Sequence, residues 1–306
     1  MGKIVFMFSG QGAQYPGMGK DLYEHSAAAK AVFDEVEKLR PGTIDQCFNG
    51  TQEELAQTIN TQPCVYCVDL AAAAALLENG VKADMLAGFS FGEMAALTFS
   101  GAISAKEGFK LVFIRSKLMQ EASKITKSAM AAVIKLSDEK VIALCNEFDN
   151  IYPVNFNCDG QVVVAGLVEE IDALAQRAKD IGGKALPLKV EGGFHSPFMS
   201  GASAGFADVL AVIPIGKPKI PIYSNVTAKQ YKNNIKNLLA KQIMHPVMWK
   251  KEVENMIDDG ARTFIEVGPG KTLCGLVSRI SNEVRVFNVE NTATLKKTLQ
   301  GLEEQV

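Results

Sequence analysis

Apolar positions along this chain follow two alternating rhythms: short continuous runs, and longer stretches in which they recur every three or four residues. Ile4 to Ser9 is apolar almost throughout and ends in Gly10-Gln11-Gly12, which predicts a buried parallel strand running into a loop. Asp84 to Phe89 predicts a second strand, followed at once by the helix formers Glu93-Met94-Ala95-Ala96-Leu97. Pro63 to Leu77 reads as a helix with proline in its first turn. Ser104-Ala105-Lys106-Glu107 is a capping-box pattern that opens a helix running to about Ala122. From Ile220 the alternation returns, with a strand to Asn225 and two helices up to Ile257. A strand Thr263 to Val267, a helix from Lys271 and a strand Val284 to Val289 follow. This order predicts an α/β fold on a mostly parallel sheet.

Between these halves the rhythm changes. Met130 to Leu136 predicts a strand, Asp138 to Phe148 a helix, and Tyr152 to Asn157 with Gln161 to Ala165 a hairpin across Cys158-Asp159-Gly160. A helix from Glu169 to Ile181 and a strand from Ala185 to Val190 complete βαββαβ, the order of a ferredoxin-like unit. The expected organisation is a small α+β subdomain at 128–192 inserted into a discontinuous large α/β domain, 1–127 and 193–306.

Composition narrows the class. Of 306 residues 47% are hydrophobic and 22% charged, the balance of a soluble globular enzyme. The longest strongly apolar stretch, Leu70 to Leu77, is too short to span a bilayer, and Met1-Gly2-Lys3-Ile4-Val5-Phe6 runs into a strand without a secretory apolar region. A cytoplasmic protein with no membrane partner is expected. The six cysteines are irregularly spaced, and the three histidines (His25, His195, His245) lack ligand spacing, so Cys64-Val65-Tyr66-Cys67 reads as buried packing and not as a metal site. Between Val209 and Lys251 there are eight lysines (217, 219, 229, 232, 236, 241, 250 and 251) and no acidic residue, either a solvated face or a docking surface for an acidic partner. Aromatic residues are sparse there, which argues against nucleic acid.

Two cofactor motifs fail. Gly10-Gln11-Gly12-Ala13-Gln14-Tyr15 has tyrosine at the third glycine of a dinucleotide fingerprint, and Gly270-Lys271-Thr272 lacks the earlier phosphate-loop glycine, which would fall at Ile265. The pattern with chemistry is Gly88-Phe89-Ser90-Phe91-Gly92, between predicted strand and helix. A sharp strand-to-helix turn needs small neighbours and sets the serine oxygen over a helix N-terminus, as acyl transfer requires. Serine needs a base. His25 follows Tyr23-Glu24 in a polar helix, and His245 precedes Pro246 at a helix boundary. His195, in Gly192-Gly193-Phe194-His195-Ser196-Pro197 after the last strand of the insert, is either that base or a structural loop histidine. Arg115 lies in a helix apolar around much of its circumference. It reads either as an internal ion pair, with Glu93 a candidate, or as a fork for a substrate carboxylate.

Six blocks occur in the order seen in malonyl-CoA:acyl carrier protein transacylases. They are Gly10-Gln11-Gly12-Ala13-Gln14, Gly88-Phe89-Ser90-Phe91-Gly92-Glu93, Arg115-Ser116-Lys117-Leu118-Met119-Gln120, Pro153-Val154-Asn155-Phe156-Asn157 with Gly160-Gln161-Val162-Val163, Phe194-His195, and Glu266-Val267-Gly268-Pro269-Gly270. The chain resembles that family over essentially its whole length. The resemblance implies an α/β hydrolase-like core with a ferredoxin-like insert, and no cofactor. It also implies that malonyl-CoA and an acidic acyl carrier protein are the partners, in fatty acid or polyketide synthesis. By resemblance Ser90 is acylated, His195 is its base, and the backbone amides of Gln11 and Phe91 form the oxyanion hole. Arg115 holds the malonyl carboxylate, and Met119, Asn157, Gln161 and Phe194 line the substrate site. A main-chain carbonyl at Met248 orients His195. The family usually has histidine before the serine and leucine after it, where this chain has Phe89 and Phe91. A serine thioesterase, a transferase of different acyl selectivity and a silent acyl-binding protein are the competing readings.

Overall fold

The structure, a computed structural model, describes residues 2–190 and 192–304. The expected domain limits at 1 and 306 therefore lie outside the described residues. Among the described residues eight strands form two separate four-stranded sheets. In the parallel one, β1 (Lys3–Phe8), β2 (Met85–Gly88), β7 (Ala261–Val267) and β8 (Arg285–Val289) stand in the order β2-β1-β7-β8. The expected strand Ile220 to Asn225 shrinks to two isolated bridges, Tyr223 against Gln230 and Ile222 against Leu86, the latter held by Leu86 N–H to Pro221 O and Tyr223 N–H to Leu86 O. Prolines 218 and 221 flank it, and a residue without an N–H cannot donate to a ladder.

Four helices, α1 (Lys20–His25), α2 (Ala27–Leu39), α3 (Thr43–Asn49) and α4 (Gln52–Ala56), lead to α5 (Thr58–Glu78). Helix α5 begins five residues before the expected start and carries Pro63 in its interior. Thr58, Asn60 and Thr61 are weak helix formers, so the sequence hides this first turn, yet both threonines and Gln62 are buried against the core. The C-x-x-C pair lies on α5, and all six cysteines are buried and free. The strand-to-helix order around Ser90 is β2 followed by α6 (Gly92–Phe99), then α7 (Ala105–Ile125), which Ser104 caps by accepting from the Glu107 amide at 3.2 Å.

The second sheet contains β3 (Ser128–Ile134), β4 (Ile151–Cys158), β5 (Gln161–Leu167) and β6 (Lys184–Pro187), ordered β4-β5-β3-β6 with every neighbour antiparallel. Helices α8 (Asp138–Cys145) and α9 (Val168–Asp180) supply the crossovers, which gives the ferredoxin-like arrangement. Its edge strand β4 is fastened to the other half of the chain by Val247 N–H to Val154 O and Phe156 N–H to Val247 O, both 2.9 Å. Helices α10 (Ser200–Val212), α11 (Ile235–Gln242), α12 (Trp249–Asp258), α13 (Thr272–Ile280) and α14 (Thr292–Glu303) complete the fold. Among the described residues no helix is long and apolar enough to cross a membrane.

Half of the lysine-rich stretch gathers on the surface, where Lys217, Lys232 and Lys236 border one cavity and Lys229 and Lys232 the adjoining one. The Lys219 amide bonds Ser100 O at the far end of α6, about 12 Å of helix from Ser90. Lys250 is paired with Asp159 at 2.5 Å and Lys251 with Glu254 at 3.0 Å, while Lys236 bonds the Ala211 carbonyl. None of the eight lines the pocket over Ser90.

The close approach of strand and helix at the elbow rests on Gly88, where a Cβ would stand 2.0 Å from the Gly92 carbonyl carbon. Gly88→Ala is expected to destabilise the fold by about 3 kcal/mol through this overpacking, read as a fall in the denaturant midpoint.

Candidate functional site

Ser90 and His195 face one another through two unusual backbones. Both have positive φ, 55° and 61°, where a side chain costs about 1–3 kcal/mol of strain unless its surroundings hold it. Asn225 holds the first, its Oδ1 accepting from the Ser90 amide at 2.9 Å. The Ile243 carbonyl holds the second, accepting from the His195 amide at 3.1 Å. Ser90 Oγ then lies 2.8 Å from His195 Nε2.

His195 Nδ1 lies 2.7 Å from the carbonyl of Gln242, not Met248. Met248 caps α12 and its carbonyl is taken by the Glu252 amide at 2.9 Å. Gln242 ends α11, and the last carbonyls of a helix have no intrahelical donor. A carbonyl only accepts, so Nδ1 carries the proton and Nε2 presents its lone pair to the Ser90 hydroxyl. Burial, and then the charge of Arg115, lower the histidine pKa from 6.5 to about 3, so the ring is neutral and free to take a proton.

Arg115 is 1% exposed. Its Nη1 donates to Gln62 Oε1 at 3.0 Å, and Nη2 to Gln242 Oε1 at 2.8 Å and Ser90 Oγ at 3.3 Å; its Nε has no partner. The expected alternative, an ion pair with Glu93, is not made. Glu93 is reached only through Gln242, whose Nε2 donates to Glu93 Oε2 at 2.6 Å. Desolvation lowers the guanidinium pKa to about 9, against the opposing pull of Glu93. A forked cation thus stands beside the serine oxygen with only neutral oxygens on its nitrogens.

Gln11 lies on the loop after β1 that lines the pocket, and Phe91 opens α6. Among the described residues neither backbone amide has an internal acceptor. Met119, Asn157, Gln161 and Phe194 also line the pocket. Met119 Sδ accepts from Gln62 at 3.7 Å, Asn157 Oδ1 is buried without a partner, and Gln161 Oε1 takes Arg279 at 2.6 Å. Phe89 lines the pocket too, edge-on to Trp249 with ring centroids 5.4 Å apart, while Phe91 is wholly buried. The other histidines are elsewhere: His25 bonds the Asp21 carbonyl and His245 that of Lys241, each at a helix end.

Three residues escaped the sequence reading: Gln62, Asn225 and Gln242. Their signal is an uncharged amide at a position buried among apolar neighbours, as on α11, where Leu239, Ala240 and Gln242 form the buried face. Periodicity marks such a position as buried but says nothing of what its amide meets.

Residues 5–303 match the model of the family described as acyl transferase domain. The chain belongs to the acyl transferase family. It is 37% identical to the malonyl CoA-acyl carrier protein transacylase of Bacillus subtilis (strain 168), over 100% of this chain and 99% of the relative. Among solved structures, the malonyl CoA-acyl carrier protein transacylase from Clostridium perfringens superposes with TM-score 0.95 at 36% identity, covering 99% of this chain and 98% of that one. A malonyl-transacylase in complex with a type II PKS acyl-carrier protein superposes with TM-score 0.94 at 34% identity, covering 98% and 99%. These likenesses run the full length of the family fold, both sheets included.

Because the imidazole is already neutral, the rate at which a serine-directed phosphonate labels Ser90 is expected to hold its plateau through pH 6.5, the ordinary histidine value. Arg115→Ala removes a positive neighbour, raises the histidine pKa and moves the acid limb of that profile upward; an unmoved limb would contradict the electrostatic account.

Proposed function

We propose that this protein moves a malonyl group from malonyl-CoA to the phosphopantetheine thiol of an acyl carrier protein, in two steps through a malonyl ester of Ser90. The observation that carries this reading is Arg115: a buried guanidinium, without a carboxylate in contact, 3.3 Å from the oxygen that would be acylated. A dicarboxylic half-thioester bound there would place its carboxylate on the fork and its carbonyl at the serine.

In the first step the Ser90 hydroxyl gives its proton to His195 Nε2 as the oxygen attacks the thioester carbon. The oxyanion is received by the amides of Gln11 and Phe91 at the start of α6, and its collapse expels the CoA thiolate, which takes the proton back from His195. The second step runs in reverse order with the carrier thiol as nucleophile. Gln242 O fixes the imidazole, and as the last carbonyl of α11 it also favours the imidazolium that forms. The acyl carboxylate contributes as well. By pairing with Arg115 it cancels the charge that weakens His195 as a base, a gain that acetyl cannot supply. Phe194, beside the histidine, would crowd a branched acyl group and so favour malonyl over methylmalonyl.

The carrier reaches Ser90 through the pocket bordered by residues 128–192, read as the small subdomain, and the larger unit of 1–127 and 193–306. Exposed Lys189 and Lys271 flank pocket-lining residues at that mouth and would meet an acidic carrier there, beside the docking role expected of the 217–251 lysines. Six free thiols suit a reducing compartment, so the cytoplasm is the working location.

Mixing the protein with malonyl-CoA alone is expected to give a stable adduct of malonyl mass on Ser90; rapid hydrolysis without an adduct would instead make it a thioesterase. Arg115→Ala should lower kcat/KM for malonyl transfer by about a hundredfold or more while sparing acetyl transfer, since only malonyl loses a charge-assisted pair. Equal losses for both acyl groups would overturn the fork.

A further inference from the structure

Of the buried carboxyls to which the transfer steps give no task, Glu93 stands nearest the serine in sequence. Glu93 lies in the first turn of α6, fully buried, three residues past the serine. Its Oε1 accepts from the Asn225 amide and the Tyr231 hydroxyl, both at 2.9 Å, and its Oε2 from Gln242 Nε2 at 2.6 Å. Gln242 turns its own Oε1 to Arg115 Nη2 at 2.8 Å. A single amide therefore separates carboxylate from guanidinium. The groups facing Glu93 are Arg115 from α7, Tyr231 from the segment before α11, and Glu252 from α12 through Asn225 Nδ2 at 2.8 Å, with His195 beyond Ser90. Arg115 is the cation among them. Burial, and then the charge of Glu93, push the Glu252 carboxyl well up, and its second oxygen has no partner.

We propose that Glu93 is a positioning residue that sets acyl specificity: it is the counter-charge of Arg115 in the resting enzyme, and it takes up one proton from water when the acyl carboxylate pairs with that arginine. The inference rests on the malonyl-transfer reading. One guanidinium cannot neutralise two carboxylates, so the resting site would otherwise gain a net negative charge away from solvent. The site has a place for the proton. On Oε1 it makes that oxygen a donor to the Tyr231 hydroxyl, whose own hydrogen turns to the Ser224 side chain. Oε2 goes on accepting from Gln242, so the amide keeps its orientation and Arg115 its place. Burial already holds the carboxyl at about 7, so one added negative charge is enough to tip it near neutral pH. Acetyl brings no charge and calls for no proton. The preference for malonyl must then weaken as pH rises above the resting pKa of Glu93, because each binding event has to draw its proton from a scarcer supply.

The test is proton uptake on single-turnover acylation near pH 7.5, followed with an indicator dye in weak buffer. Both malonyl-CoA and acetyl-CoA exchange a serine proton for a thiol proton, so their difference isolates the carboxylate. Malonylation is expected to take up a larger fraction of a proton per site than acetylation. Glu93→Gln should abolish the difference and Glu252→Gln should keep it. The malonyl-to-acetyl ratio of kcat/KM should fall with pH, by at most about tenfold per unit, in the unaltered protein and stay flat in Glu93→Gln. Equal uptake for the two acyl groups overturns the proposal even if Glu93→Gln does not fold, and so does a difference that survives in Glu93→Gln. Absence of any malonyl adduct would overturn the transfer reading itself, a separate result.

Discussion

A guanidinium buried beside a nucleophile, with no carboxylate touching it, is the constraint around which this site is built. Desolvating such a group is expensive, and neutral dipoles must meet that cost. Three do so here, Gln62 from α5, Gln242 from α11 and the Ser90 hydroxyl itself. Each comes from a different stretch of chain, so the arginine ties α5, α6, α7 and α11 to one point. The cation remains underpaired, which is what lets it bind an incoming carboxylate instead of a resident one.

Gln242 is where the separate demands meet. Its side chain bridges Arg115 and Glu93, its amide also donates to Ser90 O at 2.5 Å, and its main-chain carbonyl fixes the tautomer of His195. The acyl-recognition fork and the base are thus placed by one residue at one helix end. Strain in the backbones of Ser90 and His195 is sustained the same way, by their amides donating to Asn225 Oδ1 and Ile243 O, which leaves both side chains little choice of direction. Preorganisation of this kind lowers the reorganisation needed when charge develops on the substrate.

Much of this was legible in the chain. The order of strands and helices, the βαββαβ insert and the elbow at Ser90 follow from local periodicity, caps and glycines, because those features are encoded by neighbours in sequence. Errors fell where tertiary contact overrules local preference. Helix α5 extends back through Thr58 because burial outweighs poor propensity. The Ile220 strand is cut to two isolated bridges by its prolines. Of the lysine-rich stretch, Lys217, Lys229, Lys232 and Lys236 gather around two adjoining surface cavities, whereas Lys250 and Lys251 are held in ion pairs.

The sequence by itself determined the types of group available: a serine at a glycine-flanked turn, one histidine free of a helical role, and an arginine on an apolar helix. Only the tertiary structure decided which carbonyl holds the histidine and whether Glu93 meets the arginine directly. Those contacts run through Gln242, 47 positions from His195, 127 from Arg115 and 149 from Glu93, and its part was invisible until they formed. Residue type and spacing carry chemical potential along the chain, whereas the partners that give each group its charge and direction are set by packing in three dimensions.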